Sequence, residues 1–281
     1  MDRILRGPGA TIELAVYNSA GDLVDAGAGN GTAVVKDSAA VAIAGSPFVA
    51  THGTTGLYTV AIPAALAVLD TYTVTWTLPD ATTRTTEFEL VGSFLFTQAE
   101  LRGLDKVLED ESEFPDAKIV DARENTERRF EEAAEVSFTL RGARLLVDGR
   151  GTSKLLTGRQ ELRRLVALKL NGVTMSMSDV KVYEHGTLYL EAGWPCGNRN
   201  LEALVEHGFA TVPEPVRRVA LLYARSVLLR SALEQSDRAT AVFTDIGGYR
   251  LTLAGRDGPT GLPEVDAVLE QFGRRPAGSF A

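Results

Sequence analysis

The residues that could carry nucleophilic or metal chemistry are few, since the 281-residue chain has three histidines and one cysteine. Nucleophilic catalysis usually needs a nucleophile, a base and a group that orients the base. His185 and His207 each stand in the sequence Glu-His-Gly at the end of a strand-like run, where a turn explains them better than catalysis. His52 is the third imidazole. Cys196 lies in GWPCGNRN with no neighbouring histidine, so we expect a loop residue rather than a reactive thiol.

Other signatures of an active site are missing. No pair of histidines stands at helical spacing and the single cysteine has no partner, so the sequence predicts no metal site. It also has no Walker loop and no nucleophile elbow. Carboxylates are abundant in LEDESEFPD and RRFEEAAEV, but solvated helix faces explain them better than a paired acid and base. We therefore expect no enzymatic activity and no cofactor, and a hydrolase with an unrecognised site is the weakest of three functional hypotheses.

The composition is that of a soluble, acidic protein. Hydrophobic residues make up 44% of the chain, enough for packed cores, and the formal net charge is -8. That charge argues against tight binding to nucleic acid or anionic membranes through overall charge. The start, MDRILRGPGATIEL, has no apolar signal core, no stretch is long enough to span a bilayer, and one cysteine fits a reducing compartment. We expect a protein kept inside a cell or released only when that cell breaks.

Residues 1–93 have the alternation of a β-sandwich. Runs such as TIELAVYN, GLYTVAIP and TYTVTWTLPD are rich in Val, Thr and aromatic residues, and Gly, Asn, Asp and Pro separate them. In the last run Tyr72, Val74 and Trp76 share one face, while threonines take the other. About seven such strands predict an N-terminal all-β immunoglobulin-like sandwich.

A helical pattern begins at residue 94, where Thr97 and Glu100 have the spacing of a capping box. The hydrophobic pattern then returns to the two-residue period of β-strands, before the long helix that follows Pro215. His185-Gly186 lies between two such strand-like runs and suits a hairpin turn. The predicted fold class is α+β with two domains, the sandwich being followed by a helical domain with an inserted β-hairpin sheet. The second domain spans 94–240, with helices at 97–110, 115–135 and 214–235 and a β insertion at 142–208, and a C-terminal arm follows at 241–281.

The helix after Pro215, in VEHGFATVPEPVRRVALLYARSVLLRS, is apolar on two sides. One stripe contains Val216, Val219 and Ala220, and leucines interleaved with arginines lie roughly opposite. Because a monomer has one core to offer, the second stripe must face another layer, a membrane or another subunit, whose acidic helices the arginines could pair with. A central helix wrapped by its own domain explains the pattern equally well. The candidates for a subunit interface are Leu221, Leu222, Arg225, Leu228 and Leu229.

From Phe94 onward, about two-thirds of the chain resembles the head-to-tail adaptor (connector) proteins of long-tailed bacteriophages. The matching segments are FTQAELRGL, ERRFEEAAEVSF, DGRGTSKLLTGRQELRRLVALKLNG, the loop at Trp194-Pro195 and EHGFATVPEPVRRVALLYAR. The ending GRDGPTGLPEVDAVLEQF is similar to the tails of adaptors from phages of actinobacteria. The sandwich in front departs from the minimal plan of the family.

The resemblance implies a structural virion protein located in the neck, at the head–tail interface, and assembled in the host cytoplasm. Such adaptors form a ring, usually dodecameric, beneath the portal, extend the DNA channel and present a platform for the tail. The implied partners are further copies of the chain, the portal protein, head-closure or stopper proteins and tail proteins. Genomic DNA would pass through without specific binding, and no membrane is involved.

The resemblance also indicates two groups of site residues. In the family the C-terminal segment commonly docks onto the portal, and a channel with net negative charge would keep DNA from sticking. The portal-docking candidates are Leu262, Val265, Val268, Leu269 and Phe272. The DNA-channel candidates are Glu109, Asp110, Glu111 and Glu113.

A binding module is the alternative function. A decoration protein or adhesin could use the sandwich to hold carbohydrate or a host surface, which would explain the Thr, Tyr and Trp content of residues 1–93. However, Trp76 alternates with Tyr72 and Val74 on a face that we expect to point inward, and this favours a core role.

Overall fold

A computed structural model of the chain describes residues 1–232, 241–244, 247–250 and 259–273. The chain divides into two units. The first unit contains Met1–Ser93, Leu140–Gly158 and Leu162–His207. The second contains Phe94–Thr139, Arg159–Glu161 and the residues from Gly208 onward.

The N-terminal part of the first unit is one nearly closed sheet rather than the two separate sheets of the predicted sandwich. Its strands run in the order β1-β7-β6-β3-β4-β5-β2. They are β1 (Asp2–Leu5), β2 (Ala10–Ala15), β3 (Gly31–Lys36), β4 (Phe48–His52), β5 (Leu57–Ile62), β6 (Thr71–Thr77) and β7 (Thr83–Val91). Strand β4 makes the sheet continuous, because Phe48, Val49 and Ala50 pair with β3 while Thr51 and His52 pair with β5.

Alternation along β6 places the core side chains of this sheet. Tyr72, Val74 and Trp76 are buried on one face, as the sequence predicts. The indole Nε1–H of Trp76 donates to Thr86 Oγ1 at 2.9 Å, so the polar edge of the ring is satisfied. Tyr72 stacks on Phe88 with ring centroids 5.1 Å apart.

The remaining strands of the first unit form two smaller sheets around a second core, which includes Trp194 and six buried leucines. The sheet orders are β11-β10-β14-β8 and β12-β13-β9. The strands are β8 (Arg141–Gly149), β9 (Lys154–Leu156), β10 (Leu162–Leu170), β11 (Val173–Thr174), β12 (Val180–Tyr183), β13 (Thr187–Leu190) and β14 (Gly197–His207). The predicted hairpin turn at His185-Gly186 joins β12 and β13, which pair antiparallel.

Charged groups link the two groups of strands within the first unit. The carboxylate of Glu89 in β7 is buried, with Oε1 lying 2.5 Å from Nε of Arg141 in β8. Its Oε2 lies 3.4 Å from Nε of Arg3 in β1. Three residues further along β8, Nη2 of Arg144 lies 3.4 Å from the buried carboxylate of Asp70. Polar residues therefore hold together two sheets whose cores are separate.

The second unit contains the helices α1 (Gln98–Leu104), α2 (Asp116–Ala134), α3 (Glu214–Ala232) and α4 (Pro263–Phe272), with a short 3-10 helix at Lys106–Glu109. It also contains a two-stranded antiparallel sheet of β15 (Ala241–Thr244) and β16 (Gly247–Arg250). The predicted capping box is present, since Glu100 N–H donates to Thr97 Oγ1 at 3.2 Å and Thr97 N–H donates to Glu100 Oε2 at 2.8 Å. Helix α1 ends at Leu104 because Asp105 adopts an extended backbone.

The predicted fold class is wrong, because the described part of the chain is mostly β, with 36% strand against 23% helix. The second half of the chain does not form a helical adaptor domain that carries an inserted hairpin sheet. The strands within 142–208 have a core of their own and belong to the first unit. Their leucines are numerous enough to bury each other, so these strands do not depend on the helices for packing.

Candidate interaction surfaces

One side of α3 fills the core of the second unit. Val216, Val219, Ala220 and Ala224 are buried there. Pro215 lies in the first turn of the helix, where its missing N–H has no intrahelical partner to lose.

The predicted interface leucines on α3 divide into two groups. Leu228 is 3% exposed and belongs to the core of its own unit, so the chain itself covers it. Leu221 and Leu229 are half-buried against the same core, and Leu222 is half-buried without belonging to that cluster. The apolar area left for a neighbouring subunit therefore lies on Leu221, Leu222 and Leu229.

Arg225, the charged interface candidate, has a carboxylate partner within its own unit. Its Nη2 and Nε lie 2.6 Å and 2.8 Å from Oδ2 of Asp105. The other carboxylate oxygen accepts the Val107 N–H at 3.1 Å and so caps the 3-10 helix. The Val107 N–H first, and Arg225 second, hold the pKa of Asp105 below its ordinary value. Pairing of Arg225 with a neighbour would have to compete with this contact.

Replacing Arg225 with alanine should raise the pKa of Asp105 without restoring its ordinary value, because the Val107 N–H still binds the carboxylate. A folded-state pKa below the unfolded one stabilises the fold at pH values above the unfolded pKa. This stabilisation disappears as the pH falls through the folded pKa. In Arg225→Ala this stabilisation should therefore be smaller, and its loss should be complete at a higher pH. Titration of the Asp105 carboxyl by NMR measures the shift. Arg218→Ala, at an exposed position of the same helix, is the control. Identical titrations of wild type and Arg225→Ala would contradict the role of Arg225 in lowering the pKa of Asp105.

The predicted portal-docking residues lie on α4 and at its start. Val265 and Leu269 are buried in the core of the second unit. Leu262, Val268 and Phe272 are half-buried against that core. With α4 in this position, only the half-buried residues have apolar area to offer a partner.

The predicted DNA-channel residues Glu109, Asp110, Glu111 and Glu113 are all exposed. Asp110 accepts hydrogen bonds from the hydroxyl and the N–H of Ser112, at 2.6 Å and 2.9 Å, and these lower its pKa. Within the described ranges none of the four carboxylates forms an ion pair. We call them the acidic segment.

Two of the three histidines lie where turns and packing explain them. His185 is exposed in the turn between β12 and β13, and His207 is buried at the end of β14. His52 Nε2 lies 2.9 Å from Oδ1 of Asp25, a partner 27 residues away that the sequence did not indicate. Asp25 also accepts the N–H of Gly56 at 2.7 Å, and this bond, followed by the bond to His52, lowers the pKa of Asp25. The pair connects the end of β4 to the segment between β2 and β3.

Among the residues that the structure describes, no group of three or more His, Cys, Asp or Glu side chains is arranged to hold a metal ion. No helix in those ranges combines the length and apolar character needed to cross a bilayer. Cys196 is an exposed free thiol.

A groove of about 850 Å³ lies in the first unit, with walls that include residues of β8 and β9. Each of these strands is the last in its sheet. The groove is lined by the exposed cations Arg150, Lys154 and Arg199, by the exposed carboxylate of Asp148, and by Leu146 and Leu156, which are 47% and 74% exposed. None of the three cations pairs with a carboxylate in the described part of the chain. We call this the cationic groove. Sequence reasoning missed it because its residues come from two different sheets, from β8, β9 and the bulged start of β14.

The chain was compared with known proteins. No family model matches it, and no curated protein matches it. Among solved structures it is similar to a chain of the "Neck of empty GTA particle computed with C6 symmetry". The sequences are 16% identical, the TM-score is 0.44, and the match covers 66% of this chain and 92% of the other. Similarity at this level establishes neither a shared fold nor a shared function.

Proposed function

We propose that the protein is a structural component of the neck of a phage-like particle, where copies of it form a ring beneath the portal. The observation that carries the proposal is the apolar area left on α3 after its own core is filled, on Leu221, Leu222 and Leu229. Three half-buried leucines on one 19-residue helix suit an interface between subunits. The sequence resemblance to connector proteins supports the same conclusion independently.

The ring that we propose contains twelve copies, extends the DNA channel and offers a surface to the stopper and tail proteins. The stoichiometry and these partners come from the resemblance. A net charge of -8 per chain would keep contacts with DNA phosphates weak, so that DNA slides through without specific binding.

A carbohydrate-binding decoration role has less support. Weak sugar binding usually presents aromatic faces to solvent, whereas Trp76, Tyr72 and Tyr58 are all buried in the core of the seven-stranded sheet, and of the tyrosines and tryptophans within 1–93 Tyr17 alone is exposed, at 59%. The buried aromatic residues are explained by packing.

The proposal is tested by mixing the purified chain with the portal protein of the same particle and imaging the product by electron microscopy. We expect closed rings, and a ring mass near 360 kDa, twelve times the 30.1 kDa of one chain. The mass of the chain alone, measured by light scattering, shows whether the ring requires the portal. A chain that stays monomeric with and without portal would sink the proposal.

The same mixture of the chain and the portal protein tests whether α4 docks onto the portal. Truncating Val268 and Phe272 to alanine removes apolar area that is half-exposed, and we expect weaker binding to the portal. Glu270→Gln, at an exposed position of the same helix, is the control. Unchanged portal binding by the double variant, with its helices still folded by circular dichroism, would argue against α4 as the docking element.

A further inference from the structure

The cationic groove has the composition of a docking site for an acidic segment. It holds three exposed cations that form no ion pair in the described ranges, next to two exposed leucines. Its volume of about 850 Å³ is large enough for several side chains. The cations outnumber Asp148, the one carboxylate of the lining, so a ligand that carries carboxylates and apolar groups would match the groove.

The acidic segment has that composition. Four exposed carboxylates, at positions 109, 110, 111 and 113, follow Leu104 and Val107, which are 42% and 50% exposed. The chain thus presents a cationic, apolar groove and an acidic, apolar segment that match each other.

We propose that the cationic groove of one copy receives the acidic segment of a second copy, a contact that rests on the ring proposed above. Two different patches of the same chain that bind each other form a heterologous interface, and repetition of such an interface around an axis closes a ring. DNA is the less favoured occupant, because its phosphates would approach a chain with a net charge of -8.

The structure around Arg199 holds one of the cations in place. Arg199 has a left-handed backbone with φ 46°, where β14 leaves its register with β8. The Arg199 N–H donates to Asp148 at 2.7 Å, and the buried side chain of Asn200 binds the Gly149 N–H at 2.8 Å and the Pro195 carbonyl at 3.0 Å. These bonds hold the Arg199 backbone in a conformation that is uncommon outside glycine.

This assignment gives the acidic segment a use other than lining the DNA channel. Carboxylates in a subunit contact cannot also face the DNA, so the two roles exclude each other. If the carboxylates line the channel, reversing their charge leaves assembly intact and slows DNA passage. If they occupy the groove, the same reversal prevents assembly.

The contact can be tested by disulfide cross-linking between two populations of the full chain in a Cys196→Ser background. One population carries Leu156→Cys in the groove, and the other carries Val107→Cys beside the acidic segment. The control pair replaces Leu156→Cys with Val173→Cys, which is 70% exposed at the opposite edge of the four-stranded sheet. On oxidation we expect the groove pair to yield about tenfold more mixed dimer than the control, the factor that three exposed ion pairs together can supply.

Charge reversal tests the cause of the contact. Arg150→Glu with Lys154→Glu should abolish the excess of mixed dimer, and Glu109→Lys with Glu111→Lys on the other population should restore it. Equal yields from the groove pair and the control pair would overturn the proposal. The proposal would also be overturned if the groove pair gave no more mixed dimer than the control pair and Arg150→Glu with Lys154→Glu weakened binding of the chain to duplex DNA. The groove would then bind phosphates. If electron microscopy shows rings but the groove pair cross-links no better than the control pair, the contact is refuted and the ring stands. If the groove pair cross-links selectively but no rings form, the ring is refuted.

Discussion

Replacing Glu89 with glutamine should lower the free energy of unfolding of the first unit by about 3–5 kcal/mol. Glutamine has nearly the same shape, so the change removes the charge and little else. The side chains of Arg3 and Arg141 are 8% and 22% exposed, and both would lose a charged partner. Removing one charge from a mostly buried ion pair costs far more than an exposed ion pair contributes.

Tryptophan fluorescence during urea unfolding measures this loss of stability in the first unit. The chain has two tryptophans, Trp76 and Trp194, and both lie in the first unit, one in each core. Glu87→Gln is the matched control, since Glu87 is exposed on the same strand. Equal stability of the two variants would show that the network around Glu89 does not hold the sheets together.

Truncation of Leu228 to alanine should destabilise the second unit by about 2–5 kcal/mol, the usual cost of removing a buried leucine. Leu222→Ala should cost much less, because Leu222 is half-buried and lies outside the core cluster. For ring formation the order of the two effects should reverse. Leu222→Ala should weaken ring formation more than Leu228→Ala does, at concentrations where both variants are folded. The two leucines lie six residues apart on α3, so each serves as the control for the other.

The stability of this pair is followed by far-ultraviolet circular dichroism, because α1 to α4 all lie in the second unit. Assembly is followed by electron microscopy in the presence of portal. If Leu222→Ala destabilised the unit as much as Leu228→Ala, both leucines would serve the monomer, and only Leu221 and Leu229 would remain for a neighbour.

Local features of the fold could be predicted from the sequence. The capping box at Thr97 and Glu100 depends on residues three apart, and the buried face of β6 follows from strict alternation through Tyr72, Val74 and Trp76. In each case the partners are close in sequence, so a short window contains the whole physical cause.

Features that depend on distant partners could not be predicted. Alternation in TTEFELVG puts Glu89 on the polar face of β7, yet Arg141, 52 residues later, covers it. A Cβ on Gly142 would lie 1.7 Å from the carbonyl oxygen of Leu69, but nothing near Gly142 in the sequence indicates that approach. The predicted helical domain failed for the same reason, because period alone does not say which sheet a strand will join. The cationic groove likewise depends on the register of β8 with β14.

The first unit is built from segments that are not contiguous in the sequence, and this affects how it folds during synthesis on the ribosome. At roughly 5–20 residues per second, translation needs about 3–10 s to deliver Arg141 after Glu89. During that interval the nascent N-terminal sheet must keep an acidic group hydrated at a surface that is later sealed, while the first two helices of the other unit are already emerging. A polypeptide that stalls before residue 141 would display this half-finished surface to cellular chaperones.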